Sequence, residues 1–470
     1  MKWLILLPEI YFFAVALVFL LLSMARPNRR RDFSMAILLA GLGVVITLST
    51  VQLEGSIAYG TYRVDLFSQV FKGLLSMGLF LVVCLCSNLN GIREARHSEF
   101  YLLLSTSTLG MMLLVSSVEL LTLYVALELS SYSLYALVPL RSNDGQQMEA
   151  GIKYFLCGIA TSALMLFGLA SLFAATQTTL LSELTPKLPA LLNTPMAFIG
   201  LLLTLCGFFF KLALFPFHVW APSVYQGAAN QVTAFVATAT KVTAMAMIVR
   251  LVSMADGNTS LSRVLIALAL FSMTYGNLVA LIQKDFKRLL AYSAIAHAGY
   301  VLIGILTMNS AGYAAALFYA LAYLTMTFTC FLVVVKIASD GRNLAIAQLA
   351  GLHHRSPLLA MALLAGIFSL GGIPPTIGFT GKFLVFTAAM QRGYFLLVLI
   401  AMINVVVSLY YYIQIIKAAF LLEPDEELPP INLSAPVTIL TIVMVVVIVV
   451  GGIWPSHLFE LARAAVQTLR

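Results

Sequence analysis

The sequence predicts an all-α, polytopic membrane protein of about fourteen transmembrane helices, two of them discontinuous. Composition is the first observation behind this. Of 470 residues, 61% are hydrophobic and only 10% charged, with a mean hydropathy of +0.99, whereas a soluble domain carries roughly a quarter charged residues. The second is periodic recurrence of apolar runs about 20 residues long, the length of one membrane-spanning helix. The third is that two of these runs are broken by proline and glycine.

The opening MKWLILLPEIYFFAVALVFLLLSMA is too long for a signal peptide, is interrupted early by Pro8, and is followed by the basic cluster Arg26 and Arg29 to Arg31; it reads as the first span. Further runs follow near 34–52, 65–89, 99–117, 119–139, 150–176, 196–219, 229–254, 260–282, 289–308, 311–338, 357–390, 394–421 and 434–455. Two of them carry helix breakers. Pro216 and Pro222 lie in LALFPFHVWAP, and SLGGIPPTIGFTG holds four glycines and two prolines. A proline cannot continue the backbone ladder, and broken helices at membrane depth are tolerated where they line a polar cavity.

The net charge of +8 reads as a topology signal rather than a nucleic-acid surface, since no basic run is long or interleaved with aromatic residues. With the N-terminus outside, fifteen of the 27 basic residues fall in cytoplasmic connections and nine on the other side. The excess predicts both termini on the outer face. The five cysteines, Cys84, Cys86, Cys157, Cys206 and Cys330, all sit in apolar runs without a C-x-x-C pair, which supports neither a disulfide framework nor a metal cluster. His353 and His354 occupy a polar loop rather than facing helices, so a haem is not indicated and the chain is expected to carry no electrons.

Three basic residues remain, Lys211, Lys241 and Lys382, each well inside an apolar span, together with Glu128 near the centre of the fifth. A lysine near mid-bilayer costs at least about 2.5–3.5 kcal/mol on insertion scales. Four such groups on separate helices point to a use. Burial disfavours the charge on a lysine or a carboxylate, pairing favours it, and a change of pairing therefore loads or unloads a proton. Lys211 and Lys382 also lie beside the two helix breaks, one in each half of the chain, the pattern of an inverted-repeat transporter with a midplane site. His218 and His297 are weaker relay candidates, equally compatible with satisfied core residues. Glu149 and Lys153, four apart, are read as a surface pair, Lys72 as a residue that snorkels to the interface, and the acidic run EPDEE (423–427) as a solvated loop or partner contact.

LLPEI, EAGIKYFLCG, KLALFPFHVWAPSVYQGAANQVTAF, TATKV, GNLVALIQKDFKRLLAYSAIAHAGYVLIGI, LAGLHHRSPLLAMALLAGIFSLGGIPPTIGFTGKFLVF and SLYYYIQIIKAAF together resemble the antiporter-like, proton-pumping subunits of respiratory complex I, most closely those called subunit N. The resemblance spans essentially the whole chain. It implies two inverted five-helix repeats, at 99–254 (helices 4–8) and 260–421 (helices 9–13), after three helices over 1–98 and before a last helix and tail over 434–470. It also implies roles: Glu128 as the helix-five glutamate, Lys211 as its lysine partner, Lys241 as the central lysine, Lys382 as the lysine toward the exit, and His297 as the histidine of the S-x-x-H-x-G-Y segment. Two departures stand in the connection between the seventh and eighth helices. Ser223 replaces an aspartate, and Gly227 to Val232 read GAANQV in place of the usual G-A/S-P-T-P-V.

The resemblance implies a proton-translocating subunit in an energy-transducing membrane, coupled to quinone reduction elsewhere. Its partners would be neighbouring antiporter-like subunits, with quinone, FMN and iron–sulfur clusters held by other subunits and no cofactor here. A subunit of a multi-subunit cation/proton antiporter, or of a ferredoxin-, F420- or hydrogenase-linked pump, is the alternative. A purely structural spacer is disfavoured, because apolar residues at the four buried positions would sit more cheaply in lipid.

Overall fold

The computed structural model describes residues 2–142, 145–424 and 429–469, with side chains from Leu4 onward. Asp425 to Glu427 of the acidic run lie outside the described residues. The described chain is almost wholly helical; its one sheet is the hairpin of β1 (Gly55–Ile57) and β2 (Tyr62–Val64). Thirteen of the described helices are long and apolar enough to cross a membrane.

The first group is α1 (Leu7–Ser23), α2 (Arg29–Ser49) and α3 (Leu66–Cys84). Next come α4 (His97–Ser116), α5 (Leu120–Leu137) and α6 (Gln146–Thr176), and a short helix α7 (Leu181–Leu191) that carries two prolines and lies between spans. A broken helix follows, α8 (Pro195–Leu212) and α9 (Trp220–Gly227), then α10 (Asn230–Val252). The order then repeats. Three unbroken helices, α11 (Thr259–Ala280), α12 (Phe286–Ile305) and α13 (Ser310–Ile337), lead through the single-turn α14 (Leu352–Arg355) to a second broken helix, α15 (Pro357–Gly371) and α16 (Ile377–Gln391), and to α17 (Phe395–Leu421). The run expected as one span at 357–390 is therefore two half-helices; counted as one crossing, it brings the thirteen to the expected fourteen. The chain closes with α18 (Ala435–Ile453) and the amphipathic α19 (Ser456–Gln467), which lays Ala462, Ala465 and Val466 against α13 and α3.

Both breaks are made alike. α8 ends on Ala213 in the left-handed region (φ 61°) before Pro216, and α15 ends on Gly372 (φ 78°) before Pro374 and Pro375. A left-handed residue turns the chain out of the helix and proline prevents its resumption. Helix ends leave carbonyls without intrahelical donors, so each break places acceptors inside the bundle. α18 packs hard on the second break: a Cβ on Gly452 would lie 2.2 Å from the Pro375 carbonyl oxygen, and Thr380 donates to the Gly452 carbonyl at 3.0 Å. α10, α12 and α13 form the interior, with α10 buried all round. The outer helices expose apolar side chains such as Leu21, Phe167, Phe383 and Val406, as a lipid-facing surface requires.

Candidate functional site: a buried line of lysines across the bundle

Lys241 lies midway along α10 and is fully buried; its Nζ donates to the Leu212 carbonyl, the last residue of α8, at 2.7 Å. Lys382, one turn into α16, does the same across the second break, donating to Leu370 at 2.8 Å and Gly371 at 3.2 Å. Each ammonium thus occupies the negative end of a half-helix, where carbonyls are otherwise unsatisfied. Lys382 also stands 4.9 Å from the Tyr300 ring centroid, close enough for attraction to the ring face.

His297 lies buried on α12. The charges of both Lys382 and Lys241 act on it, and each of its ring nitrogens meets a tyrosine: Nδ1 lies 2.6 Å from the Tyr319 hydroxyl and Nε2 3.2 Å from that of Tyr412. Tyr412 continues to Ser293 at 2.5 Å. Beside it, Asn277 bonds the hydroxyls of Tyr300 (3.1 Å) and Tyr411 (2.9 Å). A neutral imidazole donates at one nitrogen and accepts at the other, so His297 between two hydroxyls can hand on a proton by exchanging the roles of its nitrogens. The tyrosines were not singled out in the sequence; SLYYYIQ on α17 and the repeated tyrosines of α13 were the available signal.

Lys211 is the penultimate residue of α8, 5% exposed, with no hydrogen-bond partner for its ammonium among the described residues. It lines a cavity of about 10 Å³ with Leu127 and Ser130 from α5, Phe208 from α8, and Thr240 and Thr243 from α10, space for about one water. Glu128 and Lys241 belong to two of the same helices, α5 and α10, but do not line the cavity. Glu128 is buried and accepts a hydrogen bond from Ser162 on α6. Its field acts on Lys211, but the two do not form a direct ion pair within the described residues.

His218 is buried in the loop between α8 and α9, its ring 5.3 Å from Phe215 and 4.6 Å from Tyr275; the structure places it among aromatic rings rather than with the lysines. Glu149 and Lys153 pair on the exposed surface of α6, as expected. Lys72 corrects its expectation. It does not snorkel: it is fully buried and paired with Glu9 at 2.5 Å, because α1 supplies a carboxylate at its depth. Lys287, at the start of α12, and Arg141, in the connection after α5, are buried too. Lys287 donates to the Ala228 carbonyl at 2.8 Å, and Arg141 to those of Gln226 (3.0 Å) and Gly341 (2.9 Å). With Asn230 donating to the Arg342 carbonyl and Gln231 to that of Asn88, they pin the α9–α10 connection that carries the unusual GAANQV.

Broken helices at mid-bundle, each with a lysine on its carbonyl end, define a class: antiporter-like subunits of ion-translocating membrane complexes. The family described as NADH:quinone oxidoreductase/Mrp antiporter, TM matches residues 117–408. NADH-quinone oxidoreductase subunit N 2 of Syntrophobacter fumaroxidans is 56% identical over 471 residues, all of both chains. A chain of respiratory complex I from Thermus thermophilus superposes with a TM-score of 0.85 at 35% identity, covering 97% of this chain and 99% of that one. A chain of the Mrp complex from Dietzia gives a TM-score of 0.89 at 20% identity, covering 100% and 98%, a likeness of fold. The chain belongs to the NADH-quinone oxidoreductase subunit N family, the antiporter-like, proton-pumping membrane subunits of complex I.

Proposed function

We propose that protons cross this subunit along Glu128, Lys211, Lys241, His297 and Lys382, driven by quinone reduction in other subunits of the complex. The observation that carries the reading is the pair of lysines, Lys241 and Lys382, each held on the carbonyl end of a broken helix, with the charges of both acting on His297. Glu128 sets the charge balance of Lys211, which shares its one-water cavity with the neighbours of Lys241. His218, among aromatic rings beside the first break, is a relay of lesser weight outside this line.

Residues 99–254 and 260–421 act as two inverted repeats, each contributing one break, between an N-terminal group at 1–98 and the closing helices at 434–470. The excess of basic residues on one side supports termini on the outer face, in a bacterial inner or thylakoid-type membrane. The chain holds no redox centre or cofactor of its own in this reading; quinone, FMN and iron–sulfur clusters belong to partner subunits, and neighbouring antiporter-like subunits pack on its lipid-exposed helices. The test is Lys241→Met in the intact complex reconstituted into vesicles. Fewer protons moved per electron supports the route, and an unchanged ratio in a fully assembled complex removes Lys241 from it.

A further inference from the structure

A buried ionic cluster outside the route above lies at the end of the bundle where α1 and α3 begin. Glu9, in the first turn of α1, pairs with Lys72 of α3 at 2.5 Å; the side chains are 5% and 0% exposed. Tyr62 of β2 donates its hydroxyl to Glu9 Oε1 at 2.6 Å, and Ser116 stands beside that hydroxyl. Asp65, which caps α3, receives both bonds of Arg250 at 3.1 Å and lies 3.9 Å from the half-exposed Arg63. Three further buried polar atoms here, Glu9 Oε2, Gln69 Oε1 and Arg250 Nε, have no hydrogen-bond partner among the described residues. Buried polar groups normally find a partner, often water, and this set offers donors and acceptors together.

Depth relates the cluster to the lysine line. Arg250 stands in the last turn of α10, and Lys241 lies nine residues earlier on the same helix, about 13 Å along the axis at 1.5 Å per residue. Lys72 lies seven residues beyond Asp65 on the packed, antiparallel α3, about 10 Å in by the same rise. Gly78 of α3 faces Ala239 of α10; by that register Lys72 lies about 6 Å nearer that end of the bundle than Lys241, on the neighbouring helix. The helices touch deeper in, where the Cβ positions of Gly78 and Ala239 are 3.8 Å apart.

We infer that Glu9, Lys72 and Tyr62 form a proton port between the Lys241 region and the face carrying the chain termini. Glu9 Oε2 takes the proton from a neighbouring hydronium, the carboxyl O–H forming as the hydronium O–H breaks and leaves water; the carboxyl then returns the proton to a water on the Tyr62 side, which becomes hydronium. Lys72 stays an ammonium throughout and stabilises the carboxylate left behind. Burial and the Glu9 carboxylate push the Tyr62 phenol well above its ordinary range, so it remains a donor. A staple alone would not need charges: a buried ion pair is often replaceable by apolar residues without loss of stability, whereas removing one partner is strongly destabilising.

That asymmetry supplies the test, which rests on the route through Lys241. In the intact complex in vesicles, Glu9→Gln or Lys72→Met alone is expected to impair assembly or coupling. The double variant Glu9→Gln/Lys72→Met removes both charges; it is expected to assemble, keep quinone reduction and lose protons moved per electron. A wild-type ratio in the assembled double variant overturns the port and leaves a staple. Should the double variant not assemble, Tyr62→Phe decides, since it removes only a hydroxyl: a lowered ratio supports the port, an unchanged one overturns it. Glu128→Gln is measured alongside. A loss there without a loss in the double variant rejects the port alone, and no loss in either rejects the route itself.

Discussion

Lys382 Nζ donates to the carbonyl of Leu370 at 2.8 Å, so the charge carried by α16 rests on the end of α15. The bond crosses the break instead of running along either half. Whatever protonates or deprotonates this lysine acts at once on both half-helices, through the C-terminal end of one and the first turns of the other.

Lys382→Met is therefore expected to lower coupled turnover. Lys382→Arg should not restore it fully, because a guanidinium stays protonated at every accessible pH and cannot release its proton. Proton uptake by vesicles holding the reconstituted complex checks both. Equal activity with Arg and Lys would make position 382 a fixed countercharge.

Gly372 is constrained twice. Its φ of 78° strains any residue with a Cβ, and a Cβ there would lie 2.9 Å from Lys382 Cδ. Gly393 has the same kind of backbone (φ 82°) with nothing within 4 Å. Alanine at either site should destabilise by about 1 kcal/mol through the backbone, but only Gly372→Ala should also reduce proton transport. Thermal stability and pumping measured on both variants separate the two effects.

Much of this arrangement was legible in the sequence. Ionisable residues inside apolar runs stand out by composition, which marked Lys211, Lys241, Lys382 and Glu128, and the Pro/Gly clusters marked both breaks. Partners were harder to see. Lys72 looked like an interfacial lysine because Glu9 lies in another helix, and nothing local announces that α1 and α3 bring them within 2.5 Å. The burial of Lys287 and Arg141 is hidden for the same reason: their acceptors are backbone carbonyls, which every sequence contains. The hydroxyl network around His297 draws on three helices and has no spacing of its own.

Glu128→Gln is expected to leave the complex assembled and reduce pumping strongly. The amide keeps an oxygen to accept the hydrogen bond from Ser162 and nearly the same volume, while the charge acting on Lys211 is lost. Subunit content after purification and protons moved per electron report the two halves of this expectation. Wild-type pumping in the assembled variant would remove Glu128 from the route.

The claim on which the route depends is that Glu128 acts through Lys211, although the two make no direct ion pair. A double-mutant cycle measures this: proton transport is compared for Glu128→Gln, Lys211→Ala and the pair, each in the assembled complex. The account predicts strong non-additivity, with Glu128→Gln causing little further loss once Lys211 is alanine. Fully additive losses would contradict it, and would mean that Glu128 and Lys211 serve separate steps.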